Sequence, residues 1–250
     1  MFSRKSSDDS TIVELLASSL RRDIAFGTLL PDQKLKLNEL RTRYGGSIHS
    51  MRETLRILSA EGLVEATAQR GFRVTSATEG DVRDIVMVRC EVEKLALSRA
   101  IELGNIAWEG RVMAAHHTLQ KTEAVAATNP DDLVALEWDE ACRAFSYTLI
   151  DACDSPRLID LQRKFFDQSR RFRLAQMREG SLDWAARRTR QDGLLEAVLA
   201  RRAEDALALL QEDVVAELRR LQRSLQVAKL RDVDPLPLLH HLLRNVLHRH

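Results

Sequence analysis

Between residues 47 and 74 the hydrophobic pattern changes period. Met51, Leu55 and Leu58 recur at i, i+4 and i+7, which is one apolar stripe on an α-helix. Ser47 stands just ahead of the stripe, and its hydroxyl suits an N-cap because it can accept from the orphan N–H groups of the first turn. Gly62 predicts the stop. Leu63 and Val64 then open a strand, Gln69-Arg70-Gly71 make a turn, and Phe72 to Val74 return. At about 100° per residue, His49, Arg52 and Arg56 fall together on a flank of the helix stripe.

Upstream, Ile12, Leu15, Leu16, Leu20 and Ile24 keep near-helical spacing and predict a first helix over 11–26, behind a polar, frayed stretch at 1–10. Gly27 and Pro31-Asp32 mark a turn, Leu37 and Leu40 belong to a short second helix, and Gly45-Gly46 close it. Three helices and a β-hairpin form a winged helix-turn-helix over residues 1–76, with a linker at 76–80. From Asp81 the strand signals vanish. Helices are expected near 81–103, 106–127, 131–153, 156–177, 181–201 and 203–230, with Asn129-Pro130 and Ser155-Pro156 at breaks. The expected fold is therefore mainly α: a winged helix-turn-helix followed over 77–230 by an all-α antiparallel helical bundle. In a tail at 231–250, Leu239, Leu242, Leu243, Val246 and Leu247 make an amphipathic helix that carries His240, His241, His248 and His250.

Composition narrows the class. No apolar run reaches the roughly 18 residues a membrane helix needs, and MFSRKSSDDS lacks the apolar core of a secretory signal. The cysteines are three, an odd number, with no CxxC pair, which points to reduced thiols and a cytoplasmic protein. The net charge of +1 covers a basic first 76 residues and a slightly acidic remainder, a distribution compatible with a nucleic-acid-binding head.

Residues 11–76 resemble the DNA-binding domain of the GntR superfamily, through IAFGTLLPD, LRTRYGGS, SIHSMRETLRILSAEGLV and QRGFRV. Residues from 81 on resemble the FCD effector domain of the FadR-like branch, through Arg89 and Glu93 in VRDIVMVRCEVEKLALSRA and Phe145, Leu149 and Pro156 in AFSYTLIDACDSPRL. The resemblance covers about nine-tenths of the chain. It implies that Ser47, His49, Arg52 and Arg56 on the helix, with Arg70 and Gly71 in the wing, meet DNA. Arg52 suits guanine O6 and N7, and Ser47 at a helix N-terminus suits a phosphate. The sequence departs from the family at Ile48, where Arg is usual, and at Ser50, where Pro is usual. Ile48 fits a thymine methyl or the core beside Met51, and Arg56 also fits plain solvated charge.

Many FCD domains hold a divalent metal on an Asp-x-x-x-His pair and two later histidines. The corresponding positions here are Cys142, Ser146, Gln191 and Asp213, and none keeps the family's ligand type. Asp139 lies a helical turn short, and His116 and His117 belong to another helix. The resemblance thus implies a bundle with no metal and no cofactor, whose polar pocket takes an effector directly. Arg89 suits a small organic acid through its carboxylate, or else pairs with Glu93 one turn along. The tail histidines suit weak nickel or zinc binding, or the tail packs on its own domain or a dimer mate.

The expected function is a homodimeric, ligand-responsive transcriptional regulator. It would repress a catabolic or transport operon by binding a pseudo-palindromic double-stranded operator, with no membrane role. An architectural DNA-binding dimer with an unused pocket is the alternative. A bundle enzyme finds no nucleophile–base pair, phosphate loop or metal triad to support it.

Overall fold

The computed structural model describes residues 4–67, 71–129, 131–178 and 180–230, with the backbone alone at 4–10, 178 and 217–230. Arg70 and the tail at 231–250, both singled out above, lie outside the described residues. The described chain divides into two compact units, one holding the elements up to Thr78 and one holding those from Glu79 on.

The first unit comprises α1 (Arg4–Ala25), β1 (Lys34–Leu35), α2 (Leu37–Tyr44), α3 (Ile48–Glu61), β2 (Val64–Thr67) and β3 (Gly71–Val74). Helix α1 starts at Arg4, well before the expected residue 11. Its stripe of Leu16, Leu20 and Ile24 is buried, whereas Ile12 and Leu15 stand exposed. That stripe meets Met51, Leu55 and Leu58 of α3, all fully buried, and Leu40 of α2 joins the same core. The ends of α3 are built as its sequence implies. Ser47 Oγ accepts from Ser50 N–H at 3.0 Å while Ser50 Oγ accepts from Ser47 N–H at 2.8 Å, a reciprocal capping box. A proline at 50 would have no N–H to give. Gly62 sits in the left-handed region at φ 79°, and Leu63 N–H returns to the Leu58 carbonyl at 3.0 Å, which closes the helix in a Schellman turn.

The sheet has the order β1-β3-β2, antiparallel throughout, with Leu35 opposite Phe72 and Val64 opposite Val74. Strand β1 is the addition to the expected hairpin. Two residues are too short to show a period, and they become a strand only because β3 lies beside them. Gly71, expected in the turn, opens β3 at φ 100°.

The second unit contains α4 (Glu79–Leu103), α5 (Ile106–Ala126), α6 (Asp132–Ile150), α7 (Pro156–Arg178), α8 (Trp184–Leu199) and α9 (Ala203–Leu230). Helix α4 begins inside the stretch expected as linker. Asn105, Asp131 and Asp183 cap α5, α6 and α8 by accepting from Trp108, Val134 and Ala186 N–H groups at 3.0, 2.8 and 2.9 Å. These caps start α6 and α8 later than expected. Helix α4 packs on α6, α7 and α9, and α8 on α5 and α9, so the inner faces of α4, α6, α7, α8 and α9 border one centre. No helix among the described residues is long and apolar enough to cross a membrane.

Candidate nucleic-acid face and bundle-centre site

The core stripe of α3 points its other side outward. Ser47, His49, Arg52 and Arg56 are all exposed, and Ile48 is half-buried at the edge of the core. Among the described residues neither His49 nor Arg52 has a hydrogen-bond or ion-pair partner within the chain. Arg56 pairs with Glu53 at 2.6 Å, but both side chains face solvent, so the pair contributes little and a competing anion can open it. Gly71 is exposed at the head of β3. Arg41 on α2, which no motif in the sequence singles out, is a second exposed guanidinium without a partner among the described residues. Its neighbour Arg43 is held by Asp23 at 3.0 Å, and Asp23 also accepts from the Tyr44 hydroxyl at 2.5 Å. Burial and that carboxylate raise the Tyr44 pKa, so its proton stays.

Arg89, Cys142, Ser146, Gln191 and Asp213, drawn from four helices and more than 120 positions of chain, line one small cavity in the bundle. Its volume is about 30 Å³, room for about one water molecule. What fills the centre is arginine. Arg89 pairs with Glu93 at 2.9 Å one turn along α4, and Glu93 Oε1 also accepts from Ser146 Oγ and Gln162 Nε2, each at 3.2 Å. Arg173 grips Asp139 Oδ1 at 2.8 Å and lies over the Phe166 ring, 3.8 Å from its centroid. Arg170 Nε stands 2.7 Å from the other Asp139 oxygen, close enough for an ion pair but off the hydrogen-bond line.

Arg187 is the hub that sequence reasoning missed. Its Nε donates to Glu123 Oε1 at 2.6 Å, its Nη2 to Cys142 Sγ at 3.3 Å, and its Nη1 lies 3.6 Å from Asp213 Oδ2. With the Gln191 amide turned to satisfy both groups, its oxygen accepts from Arg187 Nη2 at 2.8 Å and Nε at 3.0 Å. Burial works against the guanidinium charge, but Asp213, Cys142 and Glu123 outweigh it and raise the pKa. The signal was present in the periodicity: the stripe Val198–Leu194–Gln191 on α8 runs back to position 187, so an arginine occupies a core register.

The same contacts decide whether a divalent metal suits this place. Burial pushes the Cys142 thiol up to about 12, so it keeps its proton at neutral pH. Ser146 Oγ gives its proton to Glu93, the Gln191 oxygen faces Arg187, and Asp213 is shared between Arg187 and Arg190, the latter at 3.2 Å. A divalent cation here would lie beside a permanent guanidinium charge. Like unit charges about 4 Å apart repel by about 4 kcal/mol at an effective dielectric of 20, and a second charge doubles it. The residues do not fit a metal. Among the described residues no group of three or more His, Cys, Asp or Glu side chains is placed to hold one, and Asp139 is taken by two arginines. His116 is buried beside Phe145, and Nε2 lies 3.2 Å from Asp192 on α8.

A capped three-helix winged domain followed by a helical bundle with a charged, polar centre is the architecture of a two-domain DNA-binding regulator. Residues 13–74 match bacterial regulatory proteins of the gntR family, residues 84–228 match the FCD domain, and the chain belongs to the GntR family. It is 32% identical over 209 residues to the HTH-type transcriptional repressor GlaR of Escherichia coli (strain K12), spanning 82% of this chain and 94% of that one. It is 35% identical over 145 residues to the HTH-type transcriptional regulator BphR of Paraburkholderia xenovorans (strain LB400), spanning 58% of this chain and 59% of the relative. Among solved structures, E. coli McbR/YncC superposes with a TM-score of 0.65 at 18% identity, covering 84% of this chain and 98% of that one. A GntR regulator from Rhodococcus sp. RHA1 does so at 0.64 and 23%, covering 84% and 97%. At such identities the superpositions speak for the fold alone.

Proposed function

We propose that the chain is a cytoplasmic, homodimeric repressor of a catabolic or transport operon, released or engaged by a small organic acid. The observation that carries the DNA half is the outer face of α3, where His49 and Arg52 stand exposed and unpartnered on a helix whose other side is locked into the core. Arg52 reads a guanine in the major groove, Ser47 and the first turn hold a phosphate, Arg56 follows the backbone, and Arg70 with Gly71 approach the adjacent groove. One such helix covers few base pairs, so two-fold pairing on a pseudo-palindrome doubles the readout. The repressor sign is supported by the likeness to GlaR.

For the effector half, the carboxylate of a small acid binds Arg89 in competition with Glu93, with Cys142, Ser146, Gln191 and Asp213 around it. A cavity of about 30 Å³ admits no such acid as it stands, so binding requires the bundle to part. That requirement couples ligand to helix arrangement, and a coupling of about 1–3 kcal/mol suffices for regulation. The same small, self-satisfied centre favours a second reading, an architectural DNA-binding dimer that binds no effector. Selection of bound duplexes from a random library tests the DNA half: a symmetric consensus occupied by two chains is expected, and an asymmetric or absent consensus sinks it. A thermal-shift screen of organic acids separates the two readings of the bundle.

A further inference from the structure

Three of the four positions to which the resemblance assigns metal ligands touch a single side chain. Cys142 Sγ lies 3.3 Å from Arg187 Nη2, Asp213 Oδ2 lies 3.6 Å from Nη1, and the Gln191 oxygen accepts at 2.8 and 3.0 Å. We propose that Arg187 is the built-in cation of this bundle, in place of a metal ion, and that Asp213 is the carboxylate an anionic ligand displaces from it. The second half rests on the effector reading above. The first half does not.

The geometry supports both parts. A guanidinium supplies a permanent positive charge with five donors, and here those donors already engage the acceptors, a thiol, an amide oxygen and two carboxylates, that a cation in this place would need. The side chain is 7% exposed, so the charge does not escape to water. Counting the cavity lining together with its direct ion-pair partners, five guanidiniums, Arg89, Arg170, Arg173, Arg187 and Arg190, face four carboxylates, Glu93, Glu123, Asp139 and Asp213, among the described residues. That excess favours a ligand with negative charge.

The two carboxylates on Arg187 are held unequally. Glu123 is at 2.6 Å with its side chain 2% exposed and also accepts from Trp138 Nε1 at 3.5 Å. Asp213 is at 3.6 Å, 20% exposed, and already has an alternative partner in Arg190. An incoming carboxylate therefore takes the Asp213 side of Arg187, and Asp213 stays paired with Arg190. Because Asp213 sits on α9 and Arg187 on α8, the exchange loosens one polar tie between two packed helices.

Two measurements on the full chain test this, and neither uses DNA or the natural effector, so failure of the operator reading leaves them intact. In the first, every protein carries His240→Ala, His241→Ala, His248→Ala and His250→Ala, which silences the tail histidines, and zinc is titrated calorimetrically. The background protein is expected to take up no zinc one-to-one. Adding Cys142→Asp, Ser146→His, Gln191→His and Asp213→His leaves the chain without zinc while Arg187 is present, and further adding Arg187→Met together with Glu123→Leu, so that no buried charge is left alone, gives one zinc per chain. Zinc bound one-to-one with Arg187 in place, or no difference between the two ligand-bearing variants, overturns the role of Arg187. The second measurement needs a single substitution. Asp213→Ala opens one side of Arg187, and acetate is expected to raise its melting temperature by several degrees more than chloride at equal ionic strength, well beyond its effect on wild type. The excess disappears in Asp213→Ala with Arg187→Met and Glu123→Leu, the paired replacement that leaves no buried carboxylate alone. Equal effects of acetate and chloride, or an acetate effect that survives the paired replacement, overturn the exchange.

Discussion

Arg187 Nε and Glu123 Oε1 approach to 2.6 Å, with side chains 7% and 2% exposed, across the α5–α8 contact. A pair so dry is not a large net source of stability, because desolvating the two charges offsets their attraction. Its consequence is asymmetry: either charge left alone in that place is costly. Glu123→Gln is expected to destabilise the fold by about 3–5 kcal/mol in urea denaturation, whereas Glu53→Gln, which breaks an exposed pair, is expected to cost less than about 1 kcal/mol. Replacing both partners, Glu123→Leu with Arg187→Met, should be milder than Glu123→Gln alone. A double variant as unstable as the two single losses combined would mean that packing, not charge, dominates there.

Cys142 links the same guanidinium to pH. Burial raises its thiol from 9.0 to about 12, with Arg187 pulling the other way. The folded chain therefore keeps a proton that the unfolded chain releases above about pH 9. The unfolded state binds fewer protons in that window, so this group's contribution to stability is intact below about pH 9 and falls as pH rises toward 12. Between pH 8 and pH 10 the loss amounts to about 1.4 kcal/mol. Urea midpoints of wild type and Cys142→Ser at both pH values measure it. Parallel declines in the two proteins would place the thiol's titration elsewhere.

The winged unit was legible because its signals are local. Ser47, Gly62 and the stripe Met51, Leu55, Leu58 each act within a few residues of themselves, and the cap, the stop and the buried face follow. Strand β1 was not legible, since Lys34 and Leu35 become a strand only by pairing with Arg73 and Phe72 nearly forty residues on. In the bundle, the resemblance to the FCD domain singled out Arg89, Cys142, Ser146, Gln191 and Asp213, which line one cavity, but not the occupants between them. Arg173 and Arg187 sit in arginine-rich runs that read as solvated helix faces. Their burial depends on Asp139 and Glu123, carboxylates supplied by other helices. A charged residue in a core register shows where to look, but its partner is set by tertiary packing.

Ser47 has two separable duties. Its hydroxyl accepts from Ser50 N–H at 3.0 Å, and the same first turn is offered to a phosphate. Ser47→Ala is expected to lower stability by about 0.5–2 kcal/mol and to weaken DNA evenly across sequences. Ser47→Asp separates the two, since it restores the cap but brings a negative charge to the phosphate: stability recovers while binding falls further. Recovery of both would remove Ser47 from the interface and leave it a cap alone.

Arg52 carries the sequence-reading role. It is exposed, it has no partner among the described residues, and Met51 and Leu55 on the buried side fix the helix that presents it. A guanidinium bidentate on guanine contributes to one base pair, so Arg52→Ala is expected to weaken binding to the selected operator by about 1–3 kcal/mol and to relax preference at one position in each half-site. Binding to random duplex should fall much less, because phosphate contacts from the rest of the domain persist. Arg52→Lys keeps the charge but loses the planar fork, so it should restore affinity for random duplex without restoring the base preference. Anisotropy titrations of the three proteins against operator and random DNA, at two salt concentrations, distinguish these outcomes. A uniform loss across both duplexes with a shallower salt slope would make Arg52 a phosphate contact and move the base readout toward His49.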